Sequence, residues 1–134
     1  MAVKCLSEPA MMLDEAAAEA FAHEVALMRK LRSRNIVYFY GAGMRDNVPF
    51  LVTEFMPRGG LDNILHGAAY AQLTWGQKLS FARDTAHGLD FLHSLQLLHR
   101  DLKSANLLVS GAEEKKKKKK KETKKGGETV KVKK

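Results

Sequence analysis

Between Thr74 and Val109 the chain changes its hydrophobic pattern twice, and few architectures satisfy both changes. Trp75, Leu79, Ala82, Ala86 and Leu89 recur at helical spacing, with Thr74 placed to cap a helix that is expected to run to about Leu95. The period then stops. Leu97-Leu98 and Leu107-Leu108-Val109 are short apolar runs read as strands, and between them lies the largely polar sequence His99-Arg100-Asp101-Leu102-Lys103-Ser104-Ala105-Asn106. A polar octapeptide cannot be core, so it is expected as a surface loop carried by its buried neighbours, where functional residues concentrate. Helix and sheet are both required, which gives an α+β class.

The rest of the chain supplies partners for these elements. Ala2-Val3-Lys4-Cys5-Leu6 is an apolar run with one lysine, consistent with a strand. From Leu13 to Arg32 the sequence is alanine-rich, and Phe21, Val25, Met28 and Leu31 form a helical stripe with Glu24 beside it. Ile36 to Tyr40 and Pro49 to Phe55 read as two antiparallel strands around Gly41 to Asn47, whose Gly, Asp and Asn favour turns. Gly59-Gly60 breaks the chain before a short helical stretch, Leu61 to Leu65, and Thr129 to Val132 reads as a brief strand. No internal repeat is visible.

A formal net charge of +8 over 134 residues suggests a polyanion partner until the charge is located. Residues 113–134 hold twelve lysines and four glutamates, which leaves eleven basic and eleven acidic residues in 1–112. The globular part is neutral, without basic residues interleaved with aromatics, so no specific nucleic-acid face is expected. The stretch from Ser110 to Glu128, with seven consecutive lysines, should be disordered by self-repulsion and bind polyanions only nonspecifically. No run of eighteen apolar residues and no secretory leader pattern occurs, which points to a protein without a transmembrane segment, cytoplasmic or alternatively nuclear. Cys5 stands alone, so it forms no internal disulfide and is expected as a small core residue.

The polar loop carries the chemistry. An aspartate followed two residues later by a lysine and five residues later by an asparagine can serve an attacking hydroxyl, a phosphate and a metal ion together, as phosphoryl transfer requires. Asp101, Lys103 and Asn106 have that spacing, and with His99 and Arg100 the loop resembles the catalytic loop of the protein kinase family. The order of the other segments is similar to that family from its third strand onward: Ala-Val-Lys at 2–4, a helix with a glutamate, two strands, a hinge, a long helix, then the loop. The resemblance runs continuously from residue 1 to about 112 and resumes at Thr129 to Val132. The wording Lys-Ser-Ala-Asn resembles the tyrosine-kinase-like group of serine/threonine kinases.

The resemblance implies a partial kinase fold: part of the small-lobe antiparallel sheet with its helix, then the first helices and catalytic loop of the helical large lobe. It implies a partial kinase domain at 1–112, a lysine-rich insert at 113–128 and a strand at 129–134 that precedes an Asp-Phe-Gly segment. It implies ATP, Mg²⁺ and a protein substrate. Asp101 would orient or accept the substrate hydroxyl proton, Lys103 would steady the transferring phosphoryl group, and Asn106 would bind magnesium. Lys4 would bind the nucleotide phosphates and pair with Glu24; taken alone, Lys4 is equally a solvated edge residue and Glu24 more simply a solvated helix face. Glu54 and Met56 would bind adenine through backbone groups beside Thr53 as gatekeeper, with Ala2 and Leu108 sandwiching the purine. Met28, Phe39 and His99 would stack as a hydrophobic column, and Arg100 would bind a phosphate on an activation loop that this sequence does not contain.

The family's glycine-rich loop would precede Lys4 and its Asp-Phe-Gly would follow Val132. The chain is therefore expected to be a truncated piece, nearly inactive alone, with the stripe of its long helix exposed for want of packing partners. Two other readings remain open at this point: a non-catalytic, pseudokinase-like fragment that acts by binding a partner, and a role for the lysine run itself.

Overall fold

The computed structural model describes residues 1–5, 15–46, 48–68, 72–111 and 128–134. The first half builds a three-stranded antiparallel sheet from β1 (Ala2–Cys5), β2 (Phe39–Arg45) and β3 (Val48–Thr53), in the order β1-β3-β2. Ala2 lies opposite Thr53 and Lys4 opposite Leu51. The helix α1 (Glu15–Lys30) packs on this sheet because Met28, Phe21 and Val25 of its stripe meet Phe39 and Leu51. Leu31, just past the helix, joins a different cluster with Ile36, Leu92 and Val132.

The strand expected over Ile36–Tyr40 starts instead at Phe39 and runs through Gly41–Arg45, the stretch expected as a turn. Pairing with β3 outweighs local turn preference: Gly41 faces Val52, Ala42 faces Leu51 and Gly43 faces Phe50. A Cβ on Gly43 would lie 2.7 Å from the Phe50 ring, so glycine here admits an aromatic neighbour. The turn moves to Asp46, whose φ of 49° is left-handed, a region aspartate enters more readily than most residues. Ile36 pairs with Val132 instead, flanked by bonds from Val37 N–H to the Val132 carbonyl and from Val132 N–H to the Asn35 carbonyl. Residues 35–37 thus fasten the first half to the second.

The second half holds α2 (Leu61–Leu65), α3 (Trp75–Ser94), and an antiparallel pair, β4 (Leu107–Val109) and β5 (Val130–Val132). Thr74 caps α3 as expected: its hydroxyl accepts from the Gln77 N–H, and the Gln77 side chain accepts from the Thr74 N–H. The stripe of α3 is largely exposed, as expected, and the helix buries another face. Phe81, Asp84, Gly88 and Leu92 face inward, while Trp75 and Leu79 are 77% and 65% exposed. The strand β5 crosses the helix at its smallest residue, since a Cβ on Gly88 would lie 2.6 Å from Val132 Cγ2. Asp84 then accepts the Val130 N–H. Close backbone approach, rather than the largest apolar side chains, chooses the face.

Leu97-Leu98 is not a strand. The Leu97 N–H returns to the Leu92 carbonyl and its side chain packs on the Leu31, Ile36, Leu92 and Val132 cluster, while Leu98 is exposed. Cys5 is exposed rather than a core residue, on an edge strand whose last three residues are all exposed. The lysine-rich stretch expected to be disordered falls, from 112 to 127, outside the described residues. Among the described residues no helix is long and apolar enough to cross a membrane.

Candidate active site

The loop from His99 to Asn106 hangs between the end of α3 and β4. It enters through Leu97, which is held by the core, and leaves through a 3₁₀ turn at Ser104–Asn106 that delivers Leu107 to the sheet. Arg100 takes a φ of 67°, a left-handed conformation uncommon for a residue with a side chain, and the surrounding hydrogen bonds hold it there. The Asp101 N–H donates to His99 Nδ1, which makes Nδ1 the acceptor and Nε2 the protonated nitrogen. His99 Nε2 accordingly donates to the Lys133 carbonyl at 2.7 Å. The loop is tied to the end of β5 a second time where the Lys133 N–H meets the Asn106 carbonyl.

These ties bring three of the expected residues into one cluster. Lys103 Nζ lies 2.9 Å from Asp101 Oδ2. Asn106 Nδ2 donates to the same oxygen at 2.9 Å and to the Asp101 carbonyl at 2.8 Å. The Lys103 ammonium first, and the Asn106 amide second, hold the Asp101 carboxyl below its ordinary range. The outcome is an ionised carboxylate open to solvent, with a cation and an amide fixed beside it.

Lys4 and Glu24 share a separate cavity of about 190 Å³ with Met28, Phe39, Leu51 and Thr53. Among the ion pairs of the described residues none joins Lys4 to Glu24. Lys133 and Lys134 complete the lining. Burial, and then the charge of Lys4, push the Lys133 amine below its ordinary value. Lys134 Nζ reaches out to the Leu98 and His99 carbonyls, so the pair Lys133-Lys134 physically links the Lys4 cavity to the loop. Met28 and Phe39 pack together, and the His99 ring meets the Lys133 carbonyl.

At the edge of β3, the Glu54 N–H donates to the Tyr38 carbonyl and its carboxylate accepts the Tyr38 N–H. Among the described residues nothing bonds the Glu54 carbonyl. The Met56 carbonyl accepts from Gly59, and its N–H has no backbone partner among the described residues. Ala2 sits opposite Thr53 on the first sheet and Leu108 opposite Lys131 on the second. Sequence reasoning missed Lys131, whose ammonium grips both Glu54 carboxylate oxygens at 2.7 and 2.8 Å and joins the two sheets. The only sequence signal was its place between Val130 and Val132, which in a strand puts it on the opposite face from both.

Comparison with known proteins agrees with the order of these parts. The family profile described as protein tyrosine and serine/threonine kinase matches residues 1–130. The chain belongs to the protein kinase family. Over 95 residues, 69% of the chain, it is 47% identical to a probable serine/threonine-protein kinase, SIS8, of Arabidopsis thaliana. It is 46% identical over 92 residues, 66% of the chain, to the serine/threonine-protein kinase CTR1 of the same plant. It is 41% identical over 96 residues, 72% of the chain, to LIM domain kinase 1 of Drosophila melanogaster. The matched kinase segments make up 9%, 11% and 8% of those proteins, so the chain spans about a tenth of the length of these three relatives. Its homologues are serine/threonine kinases of the tyrosine-kinase-like kind. The mixed architecture, a small antiparallel sheet with helices, is consistent with a partial kinase fold.

Proposed function

We propose that this kinase chain serves, within its complete protein, to transfer the γ-phosphoryl group of ATP to serine or threonine hydroxyls of protein substrates. The observation that carries this reading is the Asp101, Lys103 and Asn106 cluster, three groups of different chemistry locked together on one solvent-facing loop. Asp101, held ionised, is better suited to orient a hydroxyl than to store its proton, since a strong base needs a higher pKa. Lys103 steadies the charge that builds on the phosphoryl oxygens. Lys4, with Glu24 on the same cavity, binds the nucleotide phosphates. The Glu54 carbonyl and the Met56 N–H bind adenine between Ala2 and Leu108, past Thr53.

Magnesium prefers oxygen donors and keeps several waters and phosphate oxygens, so it does not require a cage of side chains. Asn106 fits this demand: its amide nitrogen is committed to Asp101, and its carbonyl oxygen is left for a metal. Among the described residues no group of three or more His, Cys, Asp or Glu could hold an ion, which also agrees with a metal shared with substrate phosphates. When bound, magnesium offsets the charge of the transferring phosphate. We place the protein in the cytoplasm or nucleus, with the lysine-rich insert as a nonspecific polyanion contact.

The test is phosphate transfer by the full-length protein to a generic protein substrate. Magnesium-dependent labelling of serine or threonine, lost in Asp101→Asn with an unchanged circular dichroism spectrum, is the expected result. Undiminished transfer by that variant would remove the assignment. A second reading, partner binding without catalysis, draws on Lys4 standing without an ion pair to Glu24. Magnesium-dependent ATP binding together with phosphate transfer, both abolished by Asp101→Asn, would exclude it.

A further inference from the structure

Two adjoining cavities lie along α3 and β5, of about 580 and 550 Å³, and they share Arg34, Arg83 and Asp84. No residue lining either of them lines the Lys4 cavity. We propose that this groove is a docking site for an acidic peptide segment of a partner protein, held by the Arg34 and Arg83 guanidinium groups. The groove borders the proposed adenine site at Glu54 and Met56 but includes no residue of the His99–Asn106 loop.

Positive charge is left over in the groove. Each described carboxylate there has at least one partner, although one oxygen of Glu128 is buried without one. Glu54 is gripped by Lys131, and Glu128 is paired with Arg58. Asp84 is buried and accepts the Val130 N–H, and its other oxygen is 4.0 Å from Arg83 Nε, at the outer limit of an ion pair. Arg34 is exposed and makes no ion pair among the described residues. The remaining contact of Arg83 is a 3.5 Å bond from Nη2 to the Ser80 hydroxyl. Two planar guanidinium forks therefore offer N–H donors to an open groove whose described carboxylates each already have a cationic or backbone partner, the second Glu128 oxygen being buried and bonded to neither fork. Such forks match carboxylate and phosphate oxygens pairwise.

The shape favours a peptide over a small anion. Small-molecule sites are enclosed and mostly apolar, whereas this lining is polar along its length, with His87 lining one cavity and Phe55, a 63% exposed aromatic, lining the other. An extended segment could set anionic side chains on the arginines and an apolar side chain on Phe55. Carboxylate and phosphorylated side chains share the required chemistry.

The test uses the full-length protein and three fluorescent peptides of one sequence, bearing glutamate, phosphoserine or glutamine at the anionic positions. Polarisation should show salt-sensitive binding of the glutamate or phosphoserine peptide, or both, and none of the glutamine peptide; the tighter of the two names the anion source. The double variant Arg34→Ala/Arg83→Ala should weaken it about tenfold or more, with the exposed single changes Arg34→Gln and Arg83→Gln intermediate as a guard against misfolding. Deleting residues 113–125 should leave most of the affinity. Equal binding by the arginine variants overturns the proposal, as does loss of binding on the deletion alone, which would assign it to the lysine run. Displacement of the peptide by anionic vesicles or duplex DNA, equally well from wild type and from the double variant, would also overturn it.

Discussion

Lys103 lies 2.9 Å from Asp101 and Lys131 lies 2.7 Å from Glu54, yet the two pairs occupy opposite environments. The first joins residues two apart, with side chains 56% and 65% exposed; the second spans 77 residues, with side chains 20% and 21% exposed. An ion pair this exposed to water contributes little to stability, so Lys103 and Asp101 do not hold the fold together. What they provide is availability: a carboxylate and an ammonium open to solvent, as the proposed transfer needs. Glu54 and Lys131 are largely withdrawn from water, and Glu54 also accepts the Tyr38 N–H, so they brace the edge of β3 against β5. Burial turns the same two functional groups from a chemical instrument into a strut.

The comparison can be broken most directly at Lys103. In the full-length kinase, Lys103→Met should lower the transfer rate about 10²-fold while leaving the thermal midpoint where it was. A drop in midpoint with a normal rate would reverse the roles assigned above. Lys131→Met should do the converse, costing roughly 1 to 3 kcal/mol in urea unfolding because it strands a half-buried carboxylate, with the rate per folded molecule preserved. Glu54→Gln is a milder version: the amide oxygen still accepts from Tyr38, so about 1 kcal/mol is expected. In combination with Lys131→Met it should cost less than the two single changes added together.

The contrast also explains what the sequence disclosed. Asp101, Lys103 and Asn106 are near neighbours in the chain, and local spacing alone brings them into register, so that cluster was legible. Thr74 and Gln77 are similarly local, and the long helix was bounded to within a residue of its observed ends. Glu54 and Lys131 meet only after the sheets assemble, on either side of the lysine run, and no periodicity connects them. The buried face of α3 was hidden for the same reason. Gly88 and Asp84 look unfit for a core until Val130 and Val132 are laid across them. Gly41 and Gly43 read as a turn because their partners, Val52 and Phe50, lie beyond the hairpin.

The smallest expected effect is also the most local. Asp101 titrates below its ordinary value because Lys103, and after it Asn106, hydrogen-bond the ionised form. A carboxyl depressed in the folded state favours folding above its unfolded value, about 3.9, and loses that contribution as pH falls through the folded value. The exposure of the pair keeps the effect on stability slight, so the side-chain carboxyl resonance is the better observable. Its midpoint in a carbon-13 titration should lie below the ordinary range and rise in Lys103→Met, with a smaller rise in Asn106→Ala. Added salt should shift it in the same direction, because screening weakens the attraction of an exposed ammonium. Lys131→Met should leave it in place. If removing Lys103 did not move Asp101, the exposed pair would not persist in solution, and the availability argued for it would belong to Asp101 alone.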